Sequence, residues 1–255
     1  MGNSAGEWDS FDPSEYHRTN YAALRDDDRQ IIEAVRDFFA VFAAEAAVNR
    51  PLSGLDVGSG SNLYPALTLL PWCNEITMME YSASNVAWLR EEIKSYGTTW
   101  DSFWEVLRRD PAYAAVDDPR RVLATRATVR QGSVFELDQN RWDLGTMFFV
   151  ACSISGFRED FAQALECFLN ALVPRAPFAM AFMEKSHGYR VGDISFPAVS
   201  IGMEEISKIL DGVVSDLDVD RIFGAELLRE GYEAMILVRG RTRARPVNSR
   251  ISVEV

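Results

Sequence analysis

The stretch that decides the fold is Gly54-Leu55-Asp56-Val57-Gly58-Ser59-Gly60-Ser61-Asn62-Leu63-Tyr64. A short apolar run ends in an acid, a turn with two glycines follows, and a helical pattern begins after the turn. Glycine lets the backbone bend sharply and come close to a ligand because no Cβ is in the way. The next helix directs its unpaired N–H groups toward whatever lies above the turn. This pattern is typical of a nucleotide-type cofactor site at the end of a first parallel strand.

The glycine spacing is weak evidence by itself. Leu63 stands where the dinucleotide-binding fingerprint has its third glycine, so an ordinary strand-to-helix turn also fits the stretch. A second apolar segment, residues 75–82, favours the cofactor interpretation because it contains Glu80 at its end. An acid at the end of the second strand, roughly 20 residues past the glycines, is where a pair of ribose hydroxyls is held.

Length and composition limit the function further. The chain has 255 residues, enough for one domain with a sizeable core. Its net charge of −12 argues against a nucleic-acid partner and against an anionic membrane surface. Without a secretory signal or a membrane-length apolar run, a cytoplasmic location is expected. Its three scattered cysteines and two histidines predict neither a disulfide framework nor a metal site.

Strand and helix patterns alternate along the chain, which predicts an α/β fold with a mostly parallel sheet. After the strand before Gly58, further strands are expected at residues 75–82, 128–131, 143–150, 178–182, 219–222 and 234–239. The last two lack a full crossover helix between them, so we expect an antiparallel edge. The expected division is a helical lid at 1–50, a core at 51–242 with an insertion at 97–128, and a basic tail at 243–255.

The two ends of the chain allow more than one interpretation. Residues 1–10 are expected to be a mobile tail, followed by a helix that Asp12 caps and Pro13 begins. A long amphipathic helix is expected at 28–49. The tail carries Arg241, Arg243, Arg245 and Arg250. A solvated end is the favoured interpretation of these arginines, and an intersubunit or anionic-ligand contact is the alternative.

Five short motifs occur in order along the chain: Phe11-Asp12-Pro13-x-x-Tyr16-x-x-x-x-Tyr21, Asp56-Val57-Gly58-Ser59-Gly60-x-x-x-Tyr64, Tyr81-Ser82-x-x-Asn85, Trp100-Asp101 and Tyr189-x-x-Gly192. Together they resemble a class I S-adenosylmethionine-dependent methyltransferase, and more narrowly a bacterial-type member of the nicotinamide, phenylethanolamine and thioether methyltransferase family. The resemblance runs from residue 11 to about residue 239. It implies a Rossmann-like, seven-stranded sheet with an antiparallel edge strand and an N-terminal helical lid.

The resemblance implies S-adenosylmethionine as the cofactor and S-adenosylhomocysteine as its product. The family's cofactor contacts carry over to Tyr16, Tyr21, Gly58, Ser59, Gly60, Asn62, Tyr64, Glu80, Tyr81, Asn85, Ser133, Val134 and Phe148. Glu80 replaces the usual aspartate of the family. Spacing alone makes Tyr16 and Tyr21 simple anchors of a lid helix, whereas the resemblance implies that they close over cofactor and substrate. An aromatic face beside a sulfonium is favourable because the ring quadrupole attracts a cation.

One departure concerns the methyl acceptor. Cys152 falls where mammalian family members place an acid that holds a polar or cationic acceptor, and a thiol cannot replace that acid. Cys152 is interpreted as a small pocket-lining residue, with a reactive thiol as the alternative. The resemblance implies three catalytic candidates, Tyr16, Cys152 and Glu184. It implies six substrate-binding candidates, Tyr16, Phe149, Cys152, Glu184, His187 and Tyr189. Glu184 is equally well interpreted as a solvated carboxylate in a loop. A position on the surface is an equal alternative for His187 and Tyr189.

The expected function is methyl transfer to a small-molecule acceptor at nitrogen, catalysed mainly by positioning. A C-, O- or S-methyltransferase for a neutral apolar acceptor is the alternative, favoured by the lost acid and by Phe148, Phe149 and Val150. A non-catalytic cofactor-binding protein is the third possibility. The protein is expected to be a monomer or a homodimer.

Overall fold

The computed structural model describes residues 7–46 and 50–244. Seven strands form one sheet in the spatial order β3-β2-β1-β4-β5-β9-β8, and two short strands form a separate hairpin. The strands are β1 (Leu52–Val57), β2 (Cys73–Glu80), β3 (Ala127–Gln131), β4 (Leu144–Phe148), β5 (Pro177–Met183), β6 (Tyr189–Val191), β7 (Ile194–Phe196), β8 (Val214–Ile222) and β9 (Met235–Thr242).

The first five strands are parallel, and β9 is antiparallel to both of its neighbours. The edge strand β8 therefore comes first in the sequence, and β9, which follows it, lies between β8 and β5. Every residue of β4 and β5 is buried, as expected for parallel strands covered on both faces. The α/β fold class predicted from the sequence, including its antiparallel element, is confirmed.

Nine α-helices surround the sheet within the described ranges: α1 (Pro13–Asn20), α2 (Asp26–Ala46), α3 (Tyr64–Leu69), α4 (Ala83–Glu92), α5 (Asp101–Leu107), α6 (Pro111–Ala114), α7 (Pro119–Arg126), α8 (Arg158–Ala171) and α9 (Met203–Leu210). The predicted cap of α1 is present, because the Asp12 carboxylate accepts from the N–H groups of Ser14 and Glu15 at 3.0 Å. On α2 the apolar face of Ile31, Ile32, Val35 and Phe39 is fully buried.

The insertion predicted at 97–128 contains three helices, α5 to α7, and connects the sheet with the N-terminal lid. Trp100 lies 5.7 Å from Tyr21 between ring centres, and Phe103 stacks on Tyr64 at 5.7 Å. These rings are buried. The insertion therefore supports the lid from below and does not extend into solvent as a simple loop.

The hairpin of β6 and β7 was not predicted, since three-residue strands carry little periodic signal. Its turn uses Gly192 at φ +57°, a conformation that favours glycine. Trp8 and Phe11 each pack on Phe196 of β7, with ring centres 5.2 and 5.1 Å apart. The prediction of a mobile tail at 1–10 is therefore wrong for residues 8–10. These residues form a short 3₁₀-helix that is held by this aromatic contact.

The basic tail lies mostly outside the described residues, which end at Ala244, so the interpretation of Arg245 and Arg250 concerns a part of the chain that is not described. Arg241 belongs to β9, where it pairs with Glu45 of α2 and lies over the Phe42 ring. In residues 7–46 and 50–244 there is no helix of sufficient length and apolarity to cross a membrane. The same residues contain no group of three or more side chains arranged to hold a metal ion.

Candidate functional site

The glycine turn after β1 requires glycine at its first position. Gly58 has φ +64°, and a Cβ there would lie 2.4 Å from Val150 Cγ2. Gly60 has φ +55°, but a Cβ there would meet no atom closer than 3.8 Å. The Gly58 N–H donates to the Met79 carbonyl at 2.7 Å, which fixes the turn against β2. The backbone is therefore held where a ligand can approach Gly60.

The Asp56 side chain stabilises this turn. Its carboxyl is 1% exposed and accepts from Ser59 Oγ at 2.6 Å and from Thr146 Oγ1 at 2.8 Å. Burial raises the pKa of Asp56 to about 7. Because Thr146 belongs to β4, this one side chain connects β1, β4 and the turn.

Glu80, at the end of β2, joins the turn to the second strand. Oε2 accepts from the Gly60 N–H and Oε1 from the Ser82 N–H, both at 2.8 Å. Burial raises the pKa of this carboxyl, and the two backbone donors oppose the rise. Oε1 also accepts a long bond from Asn85 Nδ2 at 3.5 Å. A carboxylate has about four lone-pair sites, so Oε2 retains capacity for a ligand hydroxyl.

A cleft lies above the turn. It brings together most of the predicted site residues: Tyr16, Tyr21, Gly58, Ser59, Gly60, Asn62, Glu80, Tyr81, Asn85, Val134, Phe148, Phe149 and Tyr189. Tyr64 lies behind this lining, fully buried between Tyr21 and Phe148. Ser133 is outside the lining as well, and its Oγ accepts from the Phe135 N–H at 3.2 Å.

Aromatic side chains cover the cleft from two directions. Phe11 and Tyr16 come from the N-terminal segment, and Tyr189 and Phe196 come from the hairpin. Tyr16 lies 5.1 Å from Phe11 and 6.2 Å from Tyr189 between ring centres. We call these four residues the aromatic roof.

The cleft fits the nucleoside part of S-adenosylmethionine. Ser61 Oγ and Asn85 Oδ1 are buried and have no hydrogen-bond partner among the described residues. Buried polar atoms without partners are costly, so a polar ligand at this place would stabilise them. Together with the Glu80 carboxylate they provide acceptors and a donor around the glycine turn.

Phe149 separates the cleft from a second cavity. It adopts φ +62°, which is unfavourable for a residue with a Cβ, and its N–H donates to the Ala181 carbonyl at 2.7 Å. This strain directs the chain after β4 across the floor of the site. The second cavity, which we call the inner chamber, is lined by Tyr16, Asn20, Tyr21, Asp28, Phe149, Ser153, Met183, Tyr189, Leu228, Arg229 and Met235.

Asp28 and Arg229 are charged residues of the inner chamber that sequence reasoning missed. Asp28, in the first turn of α2, is 2% exposed, and its Oδ1 has no partner of hydrogen-bond geometry within the described chain. Burial raises its pKa to about 7, while the nearby Tyr64 phenol acts in the opposite direction. Arg229 comes from the loop between β8 and β9. The acidic run 26–28 was visible in the sequence, but not which of its members is buried.

Three of the predicted acceptor residues line neither cavity. Cys152 is fully buried in a 3₁₀-turn, which directs its neighbour Ser153 to both cavities instead. Glu184 is 5% exposed and pairs with Arg221. His187 is exposed. Burial raises the pKa of the Cys152 thiol, so this side chain is a poor nucleophile where it lies.

Comparison with known proteins identifies the fold of the chain but no related family. No family model matches the chain, and no curated protein is similar to it. Among solved structures, the magnesium protoporphyrin IX methyltransferase of Synechocystis PCC 6803, with S-adenosylmethionine bound, aligns at TM-score 0.55 and 12% identity. This alignment covers 92% of this chain and 93% of that chain.

Two further solved structures have the same fold and are named for different reactions. The CurJ carbon methyltransferase aligns at TM-score 0.56 and 10% identity, over 91% of this chain and 61% of its own. The [4+2]-cyclase SpnF aligns at TM-score 0.50 and 15% identity, over 84% of this chain and 81% of its own. The chain therefore has the Rossmann-like fold of class I methyltransferases, and the chemistry has to be argued from its own site.

Proposed function

We propose that the protein is an S-adenosylmethionine-dependent methyltransferase that acts on a small molecule. The observation that carries this proposal is the Glu80 carboxylate held over the Gly60 turn at 2.8 Å, in a cleft with an aromatic roof. In this arrangement Glu80 would accept the ribose hydroxyls, and the backbone of the turn would face the methionine portion. Tyr16, Tyr21 and Phe148 would surround the sulfonium, which ring faces stabilise.

When bound, the cofactor supplies a methyl group already activated for in-line displacement by a nucleophile. The chain's own task is to orient the acceptor opposite that methyl group and to exclude water. The inner chamber, which adjoins the cleft through Tyr16, Phe149 and Ser153, is the place proposed for the acceptor. Phe149 would define the floor between the two ligands.

We further propose that the accepting atom is nitrogen and that the protein belongs to the nicotinamide, phenylethanolamine and thioether methyltransferase family. Asp28 supports this proposal, because it provides a buried carboxyl in the inner chamber where Cys152 does not. A carboxylate accepts a charge-assisted hydrogen bond from an amine or a heteroaromatic N–H. An apolar acceptor would offer the Asp28 carboxyl no partner besides the nearby Tyr64 phenol.

The test combines cofactor binding with turnover. We expect calorimetry to detect binding of S-adenosylhomocysteine, and labelled S-adenosylmethionine to transfer its methyl group to members of a panel of small amines and heteroaromatics. Transfer only to neutral apolar compounds would replace the nitrogen assignment with C-, O- or S-methylation. Tight cofactor binding with no transfer to either panel would indicate a non-catalytic protein. Absence of cofactor binding would refute the whole proposal.

A further inference from the structure

Arg229 is a cation in the inner chamber that forms no ion pair with the described residues. Its guanidinium carbon lies 4.9 Å from the ring centre of Tyr189 and 5.8 Å from that of Tyr232. Its Nε is buried and has no hydrogen-bond partner in the described ranges. An arginine side chain carries five N–H donors, so this one retains unused donors toward the chamber.

Asp28 lies in the same chamber as Arg229 but forms no ion pair with it in the described ranges, and the other nearby acids are paired elsewhere or exposed. Glu184 and Glu233 both pair with Arg221. Glu230, next to Arg229 in the loop, is exposed to solvent. A partly buried guanidinium without a counter-ion is a natural partner for a ligand oxyanion.

The loop that carries Arg229, residues 223–234, is held at several points. The Arg25 guanidinium donates to the Glu226 carbonyl at 2.7 Å, and the Leu228 N–H donates to the Tyr232 hydroxyl at 2.8 Å. The His187 N–H donates to the Gly231 carbonyl at 3.1 Å. These bonds fix the loop against α2 and against the segment after β5. The guanidinium is therefore placed in advance of any ligand.

Asp28 lies in the same chamber with the opposite charge. It is 2% exposed, and its Oδ1 has no partner of hydrogen-bond geometry in the described chain. Burial raises the pKa of the Tyr16 phenol, Arg229 opposes this rise and Asp28 adds to it. Both charges are thus close to one ring, which also lines the cofactor cleft. The chamber therefore presents both a hydrogen-bond donor and an acceptor to a ligand.

We propose, building on the methyltransferase function above, that the inner chamber selects a small acceptor with a carboxylate, which Arg229 binds, and with an N–H, which Asp28 binds. A planar carboxylate matches the fork of a guanidinium, which can donate two parallel hydrogen bonds to it. Tyr189, already stacked under Arg229, faces the body of the acceptor. The substrate class is therefore small amino or heteroaromatic carboxylic acids.

The test measures binding in the presence of saturating S-adenosylhomocysteine. The probes are pyridine-3-carboxylate and 3-aminobenzoate, each compared with its neutral carboxamide, and inorganic phosphate as a different oxyanion. We expect each carboxylate to bind at least about tenfold more tightly than its carboxamide. Arg229→Gln should remove this preference, because the carboxylates lose charge-assisted hydrogen bonds and the carboxamides lose at most a neutral one.

Two further variants separate charge from folding. Arg229→Lys keeps the charge without the planar fork, so it should retain part of the preference for carboxylates. Arg190→Gln removes an exposed charge from β6 next to Tyr189, and it should change neither set of affinities.

Equal binding of carboxylates and carboxamides by the unmodified protein would overturn the proposal. Arg229-dependent binding of phosphate that is tighter than that of both carboxylates would overturn the carboxylate assignment. Either result leaves binding of S-adenosylhomocysteine intact, whereas failure of the proposed methyltransferase function removes that binding or the methyl transfer itself.

Discussion

Glu80 accepts a 2.8 Å hydrogen bond from the backbone N–H of Gly60, so the acid after β2 fixes the turn after β1 directly. A glutamate reaches this N–H while its other oxygen accepts from Ser82. The same side chain that is proposed to bind ribose therefore also shapes the turn that would contact the rest of the cofactor.

Substitution of Glu80 tests both of its roles, the proposed binding of ribose and the stabilisation of the turn. Glu80→Gln keeps the length of the side chain but removes its charge and turns one acceptor into a donor. Hydrogen bonds to charged groups contribute about 1.5–3 kcal/mol, so we expect the affinity for S-adenosylhomocysteine to fall by roughly 10- to 100-fold in calorimetry. Glu75→Gln, an exposed change on the same strand, is the matched control. Equal affinity of both variants would remove Glu80 from the cofactor site.

The two glycines of the turn should tolerate substitution differently. Gly58→Ala places a Cβ 2.4 Å from Val150 in a left-handed conformation. We expect about 1–3 kcal/mol of backbone strain and about 1–3 kcal/mol from the overlap. Gly60→Ala meets open space, so only about 1–2 kcal/mol of backbone cost is expected.

Urea denaturation of the two glycine variants measures this difference. Adding Val150→Ala to Gly58→Ala should recover the part of the loss that the overlap causes. No recovery in the double variant would show that backbone strain alone accounts for the loss.

Tyr21 links the roof of the cleft to the insertion. It is 5% exposed and packs on Tyr64 and Trp100. Tyr21→Ala should weaken binding of S-adenosylhomocysteine, slow turnover and cost about 3–5 kcal/mol of stability. Tyr21→Phe keeps the ring and should retain most of the affinity. If calorimetry and turnover rates of Tyr21→Ala match the unmodified protein, Tyr21 has no place in the site.

Stability should depend on pH through Asp28. Burial raises the pKa of this carboxyl from 3.8 to about 7 in the folded protein. Between these two values the folded protein keeps a proton that the unfolded chain has released. The free energy of unfolding therefore falls as pH rises through this window and becomes constant above about pH 7. Asp56 shifts in the same direction and to the same value.

Denaturation curves between pH 5 and 8 test this dependence. Asp28→Asn cannot titrate, so its stability should fall less steeply with pH than that of the unmodified protein. Asp193→Asn, a change at an exposed hairpin position, should keep the original slope. An Asp28→Asn slope equal to the original one would contradict the assignment.

Cys152 provides a test of what the fold buries. Its side chain is fully buried and lines neither cavity. Cys152→Ala should therefore leave the ranking of acceptors unchanged in the transfer assay and lower stability only slightly, because a small apolar residue replaces a thiol. Ser153→Ala, a change at a residue of both cavities, should alter the affinity for acceptors. The reverse outcome would place the thiol in the acceptor site.

Local chemistry explains which parts of this protein could be predicted. The turn at Gly58 and the acid at Glu80 are readable because the backbone there needs glycine and the strand ends there. The mostly parallel sheet follows from alternating strand and helix patterns with right-handed crossovers. The family resemblance implies an acceptor position at Cys152, whereas the 3₁₀-turn there places Ser153 in the lining of the cavities.

The inner chamber could not be predicted because its members meet only in the folded chain. Asp26 pairs with Arg29 at the surface, whereas Asp27 and Asp28 are both 2% exposed. Asp27 pairs with Arg25, so folding alone decides that Asp28 is the buried acid that faces the chamber. A run of three acids carries no sign of this choice. The position of Arg229 depends in the same way on bonds from distant segments.

The residues proposed to bind the cofactor and the loop that carries Arg229 come from different parts of the chain, because β9 lies between β5 and β8. The turn and the acid proposed for the cofactor come from the first two strands, whereas the loop at 223–234 belongs to the last pair. That loop is joined at its ends to two hydrogen-bonded strands, so its sequence can change without disturbing the sheet. Exchange of this one short segment can therefore alter the part of the acceptor site that Arg229 provides, while the turn and the acid proposed for the cofactor stay unchanged.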